Sequence, residues 1–388
     1  MESFQAKDQK YVLNTYKRFP VEIVSGKGSR LLDVNGKEYI DLGSGIGVTA
    51  FGIQDPVWKE AVIDQLGKVQ HTSNLYYTKP SADLAELLCQ KTGMKKVFFC
   101  NSGAEANECV IKAARRYGEK THGKECSVIV TLENSFHGRT ITTLAATGQA
   151  HYHEAFQPLT PGFVHIKAGD KSALKEIVDT GKVAGILMEC VQGEGGVVPL
   201  SPAFVLEAAE ICRKKDVLLM FDEVQTGNGR TGTLYAYQQF GVEPDLVSTA
   251  KGLGGGLPLG AALFGKKTEH ILTFGDHGST FGGNPVSCAG ALSVLKRLDE
   301  GFLNEVKRKS ALAFSLLEKA EGVKSVSGMG LMIGILPAKK KAAQVAAQAV
   351  EKGVLCLTAK DKIRLLPALN IPDDDLIRGI EIIKSILK

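Results

Sequence analysis

Short apolar runs alternate with stretches of helical periodicity through the middle of this chain. The runs fall near 97–100, 127–132, 164–167, 183–188, 217–221 and 245–249, and each has the length and residue types of a strand. One of them, Val217-Leu218-Leu219-Met220-Phe221, has no polar alternation at all and predicts a strand buried on both faces. Between several of the runs apolar residues recur at helical spacing, as where Phe204, Ala208, Ile211 and Cys212 share one face after Pro202. Strand and helix in alternation predict an α/β domain, with a mostly parallel sheet covered by helices.

The pattern changes at both ends. Arg30 to Leu42 alternates on either side of Asn35-Gly36, the strongest short-range signal of a β-hairpin. Beyond about residue 290 the order becomes a helix, a strand at 331–336, a helix after Lys339-Lys340-Lys341, strands near 354–357 and 363–366, and a final helix ending at Leu387. The expected organisation is an N-terminal segment (1–55) that joins a small domain, a large domain (56–290) and a smaller α+β domain (291–388). No internal repeat or low-complexity linker interrupts it.

Two predicted strand ends carry chemistry. Asp222-Glu223 follows Phe221, which puts a carboxylate at the carboxyl end of a strand, where open α/β sheets bind ligands. Lys251 ends the run from Leu246 to Ala250 and is followed at once by Gly252 and Gly254-Gly255-Gly256, an arrangement that suits an imine-forming amine. A lysine of that kind, with an acid able to keep a pyridinium nitrogen protonated, is the pair that pyridoxal phosphate requires. The third requirement is a phosphate site. After the predicted strand Val97-Phe98-Phe99, Ser102 and Glu105 form an S-x-x-E capping box, and Ala106, Val110, Ala113, Ala114 and Tyr117 recur at helical spacing. A helix starting near Gly103 would offer the N–H groups of Gly103 and Ala104 to a dianion. Taken singly, a solvated surface lysine, an N-cap or salt-bridging acid and an ordinary helix cap without a ligand are the better accounts of these features; it is their combination that points to the cofactor.

Composition removes other classes. With 388 residues, 44% of them hydrophobic, the chain has length for a large core; the formal charge of +5 is small and dispersed, so no nucleic-acid partner follows. Eight cysteines without a C-x-x-C pair, several inside apolar runs, fit a reduced, cytoplasmic setting. Met1 to Asp8 lacks the apolar core of a secretory signal, and no apolar run is long enough for a bilayer. His151 and His153 have no carboxylate or cysteine at metal-ligand spacing, so no metal is expected. Gly227-Asn228-Gly229-Arg230-Thr231-Gly232 matches G-x-G-x-x-G, but it stands several residues past its strand, where a dinucleotide fingerprint needs the tight turn immediately.

Seven stretches resemble, in order, the class III aminotransferases of pyridoxal-phosphate fold type I. They are Ser73-Asn74-Leu75-Tyr76-Tyr77, Asn101 to Asn107, Ser135-Phe136-His137-Gly138-Arg139-Thr140, Gln192-Gly193-Glu194-Gly195-Gly196, Asp222 to Gly227, Thr249-Ala250-Lys251-Gly252 and Gly278 to Pro285, and the likeness runs over nearly the whole chain. The resemblance implies that Lys251 carries pyridoxal phosphate as an imine and that Asp222, with Glu223 and Val224 beside it, meets the pyridine nitrogen. By the same resemblance Gln225 contacts the phenolic oxygen, Phe136 stacks on the ring, and Ser102, Gly103 and Ala104 bind phosphate. Thr280, with Ser279, would complete the site from the other subunit of a homodimer. Arg139 would take one substrate carboxylate and Arg364 the α-carboxylate of glutamate, with Glu194 masking Arg364 when the other substrate is bound. Two positions depart from the family: Cys190 stands after Glu189 where proline is usual, and Asn228 replaces an apolar residue. The implied reaction moves the terminal amino group of N2-acetylornithine to 2-oxoglutarate, as in arginine biosynthesis. Ornithine, succinylornithine and 4-aminobutyrate are rival donors, and an aminomutase or a non-catalytic cofactor binder are rival classes.

Overall fold

In the computed structural model, which describes residues 3–388, the apolar runs of the middle of the chain form a single central sheet. Met1 and Glu2 of the expected N-terminal segment lie outside the described residues. In chain order the strands are β1 (Ile23–Lys27), β2 (Arg30–Asp33), β3 (Glu38–Asp41), β4 (Lys96–Cys100), β5 (Val128–Leu132), β6 (Phe163–Ile166), β7 (Val183–Met188), the short β8 (Val191–Gln192) and β9 (Val198–Pro199), β10 (Leu218–Asp222), β11 (Leu246–Thr249), β12 (Gly260–Phe264), β13 (Val323–Met329), β14 (Met332–Pro337), β15 (Val354–Leu355), β16 (Leu357–Ala359) and β17 (Lys362–Leu365).

The central sheet has the order β4-β12-β11-β10-β7-β5-β6. β7, β10 and β11 are buried at every position, because helices cover both faces and water reaches neither. Leu218, Met220 and Leu246 pack with Val110, Ala113 and Ala114 of the helix Gly103–His122 on one side. Leu219, Phe221 and Val247 pack with Phe204, Ala208 and Ile211 of the helix Pro202–Lys215 on the other. That second helix begins as its sequence predicts: Ser201 Oγ accepts from the Phe204 N–H at 3.3 Å and Pro202 occupies the first turn, where its missing N–H costs nothing.

β1, the short β8 and β9, β12 and β13 go unpredicted by periodicity, and two of them show why. β12 runs antiparallel to both neighbours, so one strand of the mostly parallel sheet is reversed. Its Gly260-Ala261-Ala262 start has low strand propensity and continues a glycine-rich stretch. Glycine is required there, since a Cβ at 260 would lie 2.5 Å from the carbonyl oxygen of Ser102. β13 is at most half-buried throughout, and Lys324, Ser325, Ser327 and Gly328 blur its alternation.

The hairpin at Asn35-Gly36 forms between β2 and β3, and β3 pairs in parallel with β15, so the N-terminal segment shares a sheet with the C-terminal part of the chain. A second sheet, β13-β14-β17-β16, completes that part. Residue 290 falls inside the helix Pro285–Arg297, which packs on the helices Pro56–Leu66 and Lys79–Thr92. The helix Glu300–Leu317, capped by Asp299, follows it.

Candidate active site

The carboxyl ends of β4, β10 and β11, with the loop after β5, enclose a cavity of about 460 Å³. Lys251 directly follows Ala250 at the end of β11 and lines it, with a backbone φ of +47° that side-chain-bearing residues seldom adopt. Burial pushes its amine below the ordinary lysine value; the carboxylates of Asp222, Glu194 and Glu189 act against that shift and Arg364 acts with it. A lowered pKa means more free base at neutral pH, the form that attacks a carbonyl.

Asp222, the last residue of β10, is buried at the cavity wall. Three donors converge on it: His137 Nδ1 at 2.8 Å and Asn107 Nδ2 at 2.7 Å on Oδ2, and the Val224 N–H at 3.0 Å on Oδ1. Asn107 is itself held, donating to the His137 carbonyl at 2.8 Å and accepting from Ser248 Oγ at 2.6 Å. The carboxylate is therefore fixed in orientation before anything binds.

The helix Gly103–His122 points its N-terminus at the same cavity. Ser102 Oγ accepts from the Glu105 N–H at 3.2 Å, but Glu105 reaches back to the Asn101 N–H at 2.6 Å rather than to Ser102, so the expected capping box closes one residue earlier. The first two helical N–H groups, at Gly103 and Ala104, are left for a ligand. A Cβ at 103 would lie 2.6 Å from Val224 Cγ1, which is why this turn can sit against the loop after β10.

Arg139 lies at the cavity, exposed, with its guanidinium 5.1 Å from the Phe136 ring and 5.8 Å from that of Tyr152. Among the described residues it has no carboxylate partner. On β17, Arg364 Nη1 donates to Glu194 Oε1 at 2.5 Å and to Gln225 Oε1 at 3.1 Å. The two ends of the ion pair differ: the Arg364 side chain is 4% exposed and that of Glu194 27%. The guanidinium is thus the buried end of the pair and the acid the end nearer water.

Glu223 does not belong to the cavity, which corrects that expectation. Successive strand residues point to opposite sides, and Glu223 faces the interior, accepting from Thr226 Oγ1 at 2.6 Å and the Tyr237 N–H at 2.8 Å. Burial raises its carboxyl to about 7. Nor does the chain bring Thr280 to Lys251. Ser279 and Thr280 line a separate surface depression with His71, Ser73, Asn74 and Leu75, and Asn74 Nδ2 holds that loop through the Ser279 and Gly282 carbonyls, both at 2.9 Å. Ser279 Oγ does accept from Asn101 Nδ2 at 3.2 Å, so the depression adjoins the phosphate turn.

Three residues at this site were not singled out from sequence: Asn107, His137 and Glu189. Glu189 lines the cavity and accepts from the Phe136 N–H at 2.9 Å and the Gly193 N–H at 3.1 Å, tying the aromatic loop to the Glu194 loop. Burial first, then the Asp222 charge, raise it to about 7, against His137. Only the presence of Asn107 and His137 inside two of the matching stretches hinted at them. Cys190 is buried with Sγ 3.8 Å from Glu223 Oε1, away from the cavity.

These features fit pyridoxal phosphate. The site supplies two free helix N–H groups for a phosphate, an acceptor fixed by three donors for a ring nitrogen, an aromatic face in Phe136, and a lysine amine lowered by burial.

A family profile described as "Aminotransferase class-III" matches residues 11–387. The chain is 50% identical over 381 residues to a protein of Haemophilus ducreyi named acetylornithine aminotransferase, covering 98% of this chain and 97% of that one. Among solved structures, the ornithine aminotransferase of Toxoplasma gondii is similar with a TM-score of 0.94 at 32% identity, over 99% of this chain and 94% of the other. The N-acetylornithine aminotransferase of Stenotrophomonas maltophilia is similar with a TM-score of 0.84 at 34% identity, over 98% and 97%.

Proposed function

The chain belongs to the class III aminotransferases, and from that premise we propose that it moves the terminal amino group of N2-acetylornithine to 2-oxoglutarate, giving N-acetylglutamate 5-semialdehyde and glutamate, a step of arginine biosynthesis. The observation that carries the two-substrate reading is the Glu194–Arg364 pair, which meets the cavity through Gln225, with Arg139 at the cavity and without a carboxylate partner among the described residues. Purified protein given each candidate amine alone, with the cofactor spectrum followed, tests the donor. A faster half-reaction with ornithine or 4-aminobutyrate than with N2-acetylornithine would overturn the assignment.

Pyridoxal phosphate, when bound, supplies a carbonyl for the donor amine and a ring that withdraws electrons from it. Lys251 Nζ would hold that carbonyl between turnovers and, when free, is the base placed to move a proton beside it. Gly103 and Ala104 N–H groups, with Ser102, would hold the phosphate, and the Asp222 carboxylate would meet the ring nitrogen. Phe136 would cover one ring face. Gln225, whose Oε1 is engaged by Arg364, has its amide nitrogen free for the phenolic oxygen. Arg139 orients the carboxylate shared by both substrates through a bidentate contact that lysine cannot reproduce.

Glu194 then decides between the two half-reactions. While it holds Arg364, the pocket presents no bare cation to a substrate lacking a carboxylate there. When glutamate enters, its carboxylate replaces Glu194. Arg364→Ala is expected to slow the glutamate half-reaction by about 10- to 100-fold, the worth of a charged hydrogen bond, and to affect the acetylornithine half-reaction less. Glu194→Ala should leave glutamate binding at least as strong and reduce selectivity for the acylated donor. Single-turnover rates for both donors check this, and equal losses in both reactions would reduce the pair to a structural ion pair.

A homodimer is supported by what the single chain leaves open. Leu75 is 85% exposed and Tyr76, Tyr77, Phe274 and Phe281 are exposed in the Thr280 region, an apolar patch a second copy would cover. Thr280→Ala should weaken cofactor retention, and mixing Lys251→Ala with Thr280→Ala chains should regenerate one intact site per mixed dimer. If no activity returns on mixing, Thr280 serves its own subunit. No helix among the described residues is long and apolar enough to cross a membrane, and eight cysteines without a disulfide fit a reducing, cytoplasmic setting.

A further inference from the structure

Asn228 lies outside the cavity lining and is buried. Its Nδ2 donates to Thr249 Oγ1 and to the Ala250 carbonyl, both at 3.0 Å. Those are the two residues before Lys251. On the other side of the lysine, Gly252 lies close by, since a Cβ added there would come 3.3 Å from Asn228 Cβ, so Asn228 bonds one flank of Lys251 and stands near the other. Its own φ is +57°, a left-handed conformation that asparagine tolerates better than most side chains. Among the described residues its buried Oδ1 has no partner. An apolar side chain would be buried there at less cost, so the side chain's role lies in its donor nitrogen.

A lysine at φ +47° reverts to an ordinary conformation unless its surroundings hold it. We propose that Asn228 is a positioning residue for Lys251: by holding Thr249 and Ala250 it keeps the lysine in its left-handed conformation and its amine inside the cavity. The proposal rests on the reading of Lys251 as the imine-forming residue. Without the clamp, the backbone relaxes and the amine moves toward water. The desolvation that lowers its pKa is then lost, and the facing groups, Asp222, Glu194, Glu189 and Arg364, act from farther away. The fraction of free amine at neutral pH falls.

The test uses cofactor-free protein and a small probe, formaldehyde with cyanoborohydride, with methylation of each lysine followed by peptide mass spectrometry from about pH 6 to about pH 9. Asn228→Gly keeps the left-handed backbone accessible and removes both donors. Asn228→Asp keeps shape and backbone preference but turns an acceptor toward the Ala250 carbonyl. Both should slow methylation of Lys251 at neutral pH by about threefold or more and move its profile to higher pH, with other lysines unchanged. Thr249→Val, which removes one acceptor of the two, should fall between them and the wild type, and it answers the question if the Asn228 variants fold poorly. Unchanged rate and profile at Lys251 in these variants overturns the proposal while leaving the function reading intact. Borohydride reduction of the cofactor-loaded wild type that labels a different lysine overturns the function reading, and this proposal with it.

Discussion

Lys251→Ala is expected to lower turnover by about 10⁴-fold, the upper end of what a positioned proton-transfer group contributes, while the protein still takes up pyridoxal phosphate. The two effects separate because the contacts come from different segments. In the proposed reading the phosphate contacts would come from the N-terminus of the helix Gly103–His122 and the ring contacts from Asp222 and Phe136, all outside the loop that carries Lys251. Alanine also keeps the chain's course at 251 without adding bulk, so loss of the amine is the dominant change. Borohydride reduction of the wild type, followed by peptide mapping, should place the cofactor on Lys251, and equilibrium dialysis should show retention by the variant. Label on another lysine, or turnover within tenfold of wild type, would remove Lys251 from its role.

Asp222→Asn is expected to cost about 10²- to 10⁴-fold, because uncoupling a buried charge pair costs about 3–5 kcal/mol and each 1.36 kcal/mol is a factor of ten. The geometry makes the change unusually hard to absorb. His137 and Asn107 both donate to Oδ2 and the Val224 N–H donates to Oδ1, so whichever way an amide turns, its own N–H₂ faces a donor. Turnover should fall with the cofactor still detectable by its absorbance. Near-normal activity would mean that another acid meets the ring nitrogen; Glu189 is the remaining carboxylate in the cavity lining.

The parts of this site legible in sequence are those made by neighbours along the chain. Burial on both faces leaves an unbroken apolar run, as in β10, and a helix start leaves a capping serine two to three residues before its first apolar positions, as at Ser102. The positions of Lys251 and Asp222 at strand ends follow from such local signals, and the order of the seven matching stretches marks the family. Local signals are weakest where propensity is low and the fold overrides it: β12 becomes a strand because β4 and β11 offer free edges to it, and nothing in Gly260-Ala261-Ala262 announces that.

What only the tertiary structure decided is which groups meet. Asp222 and Glu223 read alike in sequence, and the alternation of β10 sends the first to the cavity and the second into the core. Asn107 lies 115 positions from Asp222, and Glu194 lies 170 positions from Arg364, so their pairing depends on how the sheets and helices assemble. Asn228 belongs to a glycine-rich turn until folding sets it against Thr249 and Ala250. Periodicity and caps are short-range interactions and leave their record within a few residues. Hydrogen-bond partners across the fold are chosen by packing, which no local stretch of chain contains.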